Sequence, residues 1–121
     1  MKINYVFFFL LISTAMFSQE DAWVYFNAKP NAQTYLDSPS LMLSQRALDR
    51  RTNQNIALDF SDVPLETTYI DQIKSSTGIT VMAQSKWLNA LHIRGTQVNI
   101  TALKNLAFVD KVVFANKNLN T

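Results

Sequence analysis

Four short runs of aromatic and β-branched residues constrain most strongly what this chain can fold into. They occupy residues 21–29, 79–84, 86–95 and 109–117, and their composition is typical of β-strands. The unbroken apolar stretch in the first run predicts a strand in the middle of a sheet. The second and third runs are adjacent in the chain, which predicts a hairpin or a bent strand pair.

Helical spacing appears between the first two of these runs. In residues 65–75, the side chains of Tyr69, Ile70 and Ile73 form one apolar stripe, and Gly78 follows as a stop signal. The segment therefore predicts an amphipathic helix that packs on the sheet.

Two more helices are predicted elsewhere in the chain. Thr96 can cap a helix whose apolar face is formed by Ile100, Leu103 and Leu106 or Ala107. An additional helix begins at Leu41, with Ser38-Pro39 as its cap and first turn. Residues 30–40 are expected to form a loop, and residues 53–66 to be irregular with a short extended piece at 56–60.

The order of these elements predicts the fold. Without the additional helix, the order is strand, helix, strand, strand, helix, strand. This βαββαβ order predicts an α+β, ferredoxin-like fold, with an antiparallel sheet and helices on one face, plus the extra N-terminal helix. The chain has only two glycines, Gly78 and Gly95, and both fall at predicted element boundaries.

The N-terminus predicts export. Lys2 is followed by the apolar run "YVFFFLLISTAMF" and then by the polar "SQED", which is the pattern of a secretory signal peptide. We expect cleavage after Ser18, which makes Gln19 the first mature residue. The apolar run is short for a membrane span of about 20 residues, although an uncleaved anchor is the alternative. The predicted location is the periplasm or the extracellular space, with no stable membrane anchor after cleavage.

Charge and cysteine content exclude several classes of protein. The net charge of +2 falls to +1 when Lys2 is removed, which is too little for the broad basic face that nucleic-acid binding requires. The chain has no cysteine, so no disulfide supports it. A domain of about 100 residues must then rely on its own core or on a partner.

Candidate residues for chemistry are few. A nucleophilic triad needs an imidazole, and the single histidine, His92, lies in a predicted strand where a surface or half-buried position is expected. One histidine without cysteine gives no metal-ligand cluster, and no glycine-rich turn is present that would bind a phosphate. Glu20-Asp21 is the one adjacent acidic pair. We therefore predict no catalytic, cofactor-binding or metal-binding residue and no cofactor.

The stretch "LSQRALDRR", residues 43–51, contains three of the four arginines. Arg46 can pair with Asp49 within a helix, so a solvated helix face is the first interpretation. The second is a contact face for a protein partner through Arg46, Arg50 and Arg51, because guanidinium groups bind carboxylates well. A dibasic cleavage site at Arg50-Arg51 is the third.

Three further residues are notable. Trp87 is expected in the core. Asn89 interrupts an extended apolar run, and because a buried amide needs hydrogen-bond partners, a bulge or a turn is expected there. Asn99-Ile100-Thr101 matches a glycosylation sequon, although its predicted position on a helix makes this a weak signal.

Four stretches of the chain together suggest a family. They are "AWVYF", "LSQRALDRRTNQNIALDFSDVP", "YIDQIKSSTGITVMAQSKWLNAL" and "LKNLAFVDKVVF", and they cover nearly all of residues 21–117. The pair "SxRALxRR" and "SKWLNAL" is specific in this spacing. With these stretches the chain resembles the N-terminal part of secreted subtilisin-like serine peptidases of the S8 family, the long precursors exported by Bacteroidetes-type bacteria.

This resemblance implies a propeptide domain with a ferredoxin-like fold. Such a domain assists the folding of its protease domain, places its sheet on the protease surface, and blocks the cleft with its C-terminal tail. Asn116 and Lys117 therefore join the three arginines as candidate partner contacts. The catalytic Asp, His and Ser of the family belong to a domain that would follow Thr121, and His92 and Asp110 match none of its motifs. The arginine-rich helix is additional to the minimal propeptide fold.

The expected organisation is a signal peptide at 1–18, a propeptide domain at 19–117 and the start of a linker or a truncated tail at 118–121. The expected partner is a cognate subtilisin-like protease domain. A free-standing exported module that binds a peptide or protein through the sheet edge is the alternative. A hydrolase that uses a carboxylate pair including Asp71 or Asp110 is a third hypothesis.

Overall fold

Four strands form one antiparallel sheet. In the computed structural model, which describes residues 18–120, they are β1 (Gln19–Phe26), β2 (Thr80–Ser85), β3 (Ala90–Thr96) and β4 (Val109–Phe114). Their order across the sheet is β2-β3-β1-β4, and each neighbouring pair is antiparallel. The predicted signal peptide at 1–18 lies outside the described residues except for Ser18.

Helices lie in both connections that cross the sheet. The helices α1 (Ala32–Asp37), α2 (Gln45–Asn53) and α3 (Thr67–Lys74) lie between β1 and β2, and α4 (Gln97–Ala102) lies between β3 and β4. With α1 and α2 set aside, the order is βαββαβ, so the predicted α+β, ferredoxin-like fold is confirmed.

The alternation of β1 decides which side of the sheet becomes the core. Ala22, Val24 and Phe26 are buried and point to one side, because successive side chains of a strand point to opposite faces. On the same side, Ile93 lies opposite Ala22 and Leu91 lies opposite Val24. The helices α3 and α4 cover this side. Residues of these helices, of β4 and of the adjoining segments complete the core cluster: Leu65, Ile73, Ile79, Ile100, Leu103, Val109, Val112 and Phe114.

The two glycines allow close packing at one end of the sheet. Gly78 has a φ of +69°, a conformation that glycine adopts without strain after a helix. Gly95 lies inside β3, one residue before it ends, rather than after it. A Cβ at Gly95 would lie 2.8 Å from the carbonyl oxygen of Gly78, so glycine is needed for the two backbones to approach each other.

The predicted cap of α4 is confirmed, since the Thr96 hydroxyl accepts a hydrogen bond from the Asn99 N–H at 3.2 Å. The helix predicted from Leu41 begins instead at Gln45. Ser44 is its cap and accepts a hydrogen bond from the Ala47 N–H, while Pro39 starts a separate 3-10 turn.

Two other predictions in this region are wrong. Residues 32–37 were expected in a loop, but they form the short helix α1, which has no buried residue and no side-chain cap. The extended piece at 56–60 is absent, because Asp59 caps a 3-10 turn at Phe60–Asp62. The side chain of Asp59 decides the second position by local capping, a signal that apolar periodicity does not contain.

Polar contacts hold the long connection between β1 and α3. No residue from 30 to 61 is buried. The buried Lys29 donates a hydrogen bond from Nζ to the Phe60 carbonyl at 2.8 Å. The Arg51 guanidinium contacts both carboxylate oxygens of the buried Asp62, at 2.6 and 2.9 Å. Residues 30–61 are therefore attached by a few specific bonds, with no fully buried apolar side chain of their own.

The chain folds back after β4. The predicted strand reaches only Phe114, because a 3-10 turn at Lys117–Leu119 follows. The Asn120 side chain then accepts a hydrogen bond from the Phe114 N–H at 2.6 Å and donates one to its carbonyl at 2.8 Å. Leu119 packs against the core cluster. Asn120 in the tail therefore satisfies the outward-facing backbone groups of Phe114 at the β4 edge, as a residue of a neighbouring strand would.

Candidate protein-binding face

The second side of the sheet carries aromatic and charged side chains. Asp21, Trp23 and Tyr25 alternate with the core residues of β1 and remain partly exposed. In β1 the pleat therefore separates an apolar core face from a face that α3 and α4 do not cover. We call this second side the open face.

A cluster of three polar groups lies beside Trp23. The Asp21 carboxylate accepts a hydrogen bond from Arg94 Nε at 3.1 Å and is hydrogen-bonded to His92 Nε2 at 3.0 Å. The His92 ring lies 5.5 Å from the Trp23 ring, centre to centre, at an angle of 31°. The bond with His92, with a smaller contribution from Arg94, holds the pKa of the Asp21 carboxyl below its ordinary value despite partial desolvation.

Tyr25 continues the aromatic row toward the other end of β1. The Lys111 ammonium lies 4.7 Å from the centre of the Tyr25 ring, which is a cation–π contact. Ala90, opposite Tyr25 in the pairing with β3, is fully buried. The accessible part of the open face therefore begins at Tyr25 and extends past Trp23, with Val113 opposite Trp23 on β4.

The geometry of the open face suits binding of a protein surface. Half-buried aromatic rings beside a guanidinium group are typical of protein interfaces. His92 is partly exposed, as expected, and its bond to Asp21 has the form of a base and its orienting group. Among residues 18–120, no serine or threonine hydroxyl is hydrogen-bonded to His92, so this pair has no adjacent nucleophile to activate.

The open face is not predicted from the sequence when "AWVYF" is interpreted as one apolar run. The signal that could have revealed the face is the alternation of small or aliphatic residues with large aromatic ones: Ala22 and Val24 point inward, while Trp23 and Tyr25 point outward.

The predicted partner contacts divide into three groups. Arg46 and Arg50 lie on one exposed side of α2. Arg51 turns the other way to bind Asp62, so it is a structural residue here. Asn116 and Lys117 lie in the tail, where Asn116 caps the last 3-10 turn and Lys117 is exposed.

One expected bond within α2 is replaced by another. The Asp49 carboxylate accepts a hydrogen bond from the Gln45 side chain at 2.8 Å, and no ion pair joins it to Arg46 in the part of the chain that the structure describes. The pairing of Asp49 with Arg46 is therefore wrong. Both residues are exposed, which fits a solvated helix face and a contact face for a partner equally.

The prediction that Trp87 packs in the core is wrong. Trp87 lies in the turn between β2 and β3 and is 73% exposed. The turn occupies residues 86–89, so the third predicted run begins as a turn and becomes a strand only at Ala90. Asn89 lies in this turn with a φ of +52°, which confirms the prediction of a turn at this residue.

Two other kinds of feature are absent from the described residues. Within residues 18–120, no group of three or more His, Cys, Asp or Glu side chains lies close enough to hold a metal ion. In the same range, no helix has both the length and the apolar character needed to cross a membrane.

The fold and the open face define a ferredoxin-like domain with one sheet surface available to a protein partner. A comparison with family models identifies the family of this domain. The model for the peptidase S8 propeptide domain of Bacteroidota matches residues 21–121, and the chain belongs to that family. This membership confirms the resemblance noted in the sequence, and a peptidase propeptide implies association with a cognate protease domain. Neither the curated proteins nor the solved structures that were compared gave a match.

Proposed function

We propose that this chain is the pro-domain of a secreted subtilisin-like serine protease, where it assists the folding of the protease domain and inhibits it. One observation supports the proposal most: in a chain of this family, the sheet keeps an aromatic face that α3 and α4 do not cover. Export through a signal peptide at 1–18 is part of the proposal.

The open face is the proposed docking surface. When Trp23 and Tyr25 lie against the protease, their apolar area is removed from water, which favours association. A partner that binds only the folded form stabilises that form by mass action. The same coupling lets each domain promote the folded state of the other, which is the physical basis of folding assistance.

The tail is proposed to reach the protease cleft. It follows β4 at the end of the sheet where Ala115 donates a hydrogen bond to the Asp21 carbonyl. To lie extended in a cleft, the tail must release the two bonds between Asn120 and Phe114 and the packing of Leu119. Asn116 and Lys117, together with Arg46 and Arg50, are the proposed additional contacts.

Inhibition tests the docking surface. The exported chain should inhibit a mature S8 peptidase of its own bacterium, and Trp23→Ala should weaken inhibition about tenfold or more, the size expected of a central interface aromatic. Val98→Ala is the matched control, because Val98 is an exposed apolar residue on α4, in the helical layer. Equal inhibition by both variants, with their folding verified by circular dichroism, would exclude the open face as the docking surface.

Shortening the chain tests the tail. A variant that ends at Ala115 keeps all of β4 and should bind the peptidase while inhibiting it much less. Full inhibition by this variant would overturn insertion of the tail into the cleft. Binding of peptides along the β2 edge, with no effect on any peptidase, would favour the alternative of a free-standing binding module.

A further inference from the structure

Apolar side chains gather at the end of the sheet opposite to the tail. Trp87 is 73% exposed, Leu88 is 50% exposed and Phe60 is 49% exposed. We call these three residues the apolar tip. The first two lie in the β2–β3 turn, and the third lies in the 3-10 turn that precedes α3.

One buried ammonium joins the two turns that form the apolar tip. Lys29 Nζ donates hydrogen bonds to the Phe60 carbonyl at 2.8 Å and to the Lys86 carbonyl at 2.7 Å. The same ammonium lies 4.7 Å from the centre of the Phe60 ring. Lys29 therefore fixes the backbone beside Phe60 and the backbone beside Trp87 relative to each other.

Asn89 holds the β2–β3 turn from its other side. Its φ of +52° is an uncommon conformation for a residue other than glycine. Its side-chain amide donates to the carbonyls of Phe26 and Ala28 at 3.3 and 3.1 Å, and its own carbonyl accepts from the Phe26 N–H at 2.8 Å. Such a conformation persists where the surrounding contacts determine it, and it is concentrated at functional positions.

The apolar tip is thus a fixed feature that presents large apolar groups to solvent. A tryptophan on a fixed backbone beside a leucine loses less conformational freedom on binding than one on a mobile loop, so it suits an apolar pocket on a protein. The turn lies next to the Tyr25 end of the open face, because Ser85 pairs with Ala90 and Ala90 lies opposite Tyr25. A partner that covers the open face would therefore meet the tip at the border of the same surface.

The tip and the tail lie at opposite ends of β1. The tail lies beside Asp21, while the β2–β3 turn lies beside Phe26. At about 3.3 Å per residue, these positions are roughly 17 Å apart. With the tail in the cleft, this separation lets the tip contact the protease outside it.

We infer that the apolar tip is a second anchoring point for the cognate protease domain, with Trp87 and Leu88 inserted into an apolar pocket outside the catalytic cleft. This inference rests on the proposed function. It assigns to the turn a role in partner binding that does not depend on the tail.

Affinity measurements with two forms of one protease test this inference. The exported chain is titrated into a mature S8 peptidase of the same bacterium, once with a free active site and once with its catalytic serine sulfonylated. Trp87→Ala and Leu88→Ala should each raise Kd about tenfold with both forms. Leu41→Ala, an exposed leucine 63% accessible in the β1–α3 connection, should change Kd less than twofold.

The other outcomes separate a failure of the inference from a failure of the proposed function. Tip variants that bind as tightly as the unaltered chain, while that chain inhibits, would overturn the anchoring point and leave the proposed function standing. An effect that disappears with the sulfonylated protease would place the tip in the cleft and overturn its position outside. No binding by the unaltered chain to either form would overturn the proposed function and the inference together.

Discussion

The carboxylate of Asp21 makes the stability of the fold depend on pH. Its hydrogen bonds with His92 and Arg94 keep its pKa in the folded state below that of the unfolded chain. The stabilisation is therefore fully present above the unfolded pKa of about 4 and is lost as the pH falls through the folded pKa. We expect Asp21→Asn to be less stable than the unaltered chain in urea at pH 7, with a difference that shrinks at pH 3.

A matched control for this change is Asp110→Asn, since Asp110 is an exposed carboxylate that makes no hydrogen bond to another side chain in residues 18–120. The difference in free energy of unfolding between Asp110→Asn and the unaltered chain should vary less between pH 7 and pH 3. A difference for Asp21→Asn that is the same at pH 7 and pH 3 would contradict the role assigned to its bonds.

The two tryptophans are expected to report different surroundings. Trp87 is 73% exposed, whereas Trp23 is partly buried beside His92. Trp87→Ala should change the free energy of unfolding by less than about 0.5 kcal/mol, as for other exposed positions. In a Trp23→Phe variant, the fluorescence of Trp87 should be red-shifted and quenched readily by acrylamide. Strong protection of Trp87 from acrylamide in the isolated chain would show that its own chain covers it.

The attachment of helix α2 to the rest of the domain depends on one ion pair. Asp62 is buried, and the Arg51 guanidinium contacts both of its oxygens. Arg51→Ala leaves a buried carboxylate without this partner, and we expect a loss of about 1–3 kcal/mol, less than for a fully buried pair because Arg51 is partly exposed. Arg50→Ala, one residue away on the exposed side of α2, should cost less than about 0.5 kcal/mol. Urea unfolding measures both, and equal losses would show that the ion pair does not hold the helix.

For the whole molecule, the uneven distribution of buried residues predicts uneven local stability. β1 and β3 lie at the centre of the sheet, while residues 30–61 include no buried residue. Amide hydrogen exchange should therefore be slowest in β1 and β3 and faster in α2 by at least a factor of about 100, since opening of poorly buried segments needs less free energy. Exchange in α2 as slow as in β1 would mean that α2 unfolds only with the core.

The sequence predicts the core residues better than it predicts the open face. Ile73, Ile100 and Leu103 were placed on buried helix faces by their spacing, and all three are buried. Spacing succeeds here because apolar burial follows the period of the helix. Trp87 was misplaced because a large apolar residue in an apolar run gives no sign that the backbone turns there. The turn depends on Asn89 and on the distant Lys29, whose contacts are not local.

The sequence by itself determined the family, the βαββαβ order and the apolar sides of α3 and α4, since each depends on local pattern or on motif spacing. The tertiary structure alone decided which side of the sheet stays open, how Arg51 turns inward while Arg46 and Arg50 stay exposed, and how the tail returns to Phe114. The physical reason is that these features arise from pairs of groups far apart in the chain. Their partners are chosen only when the strands have aligned and the connections have closed.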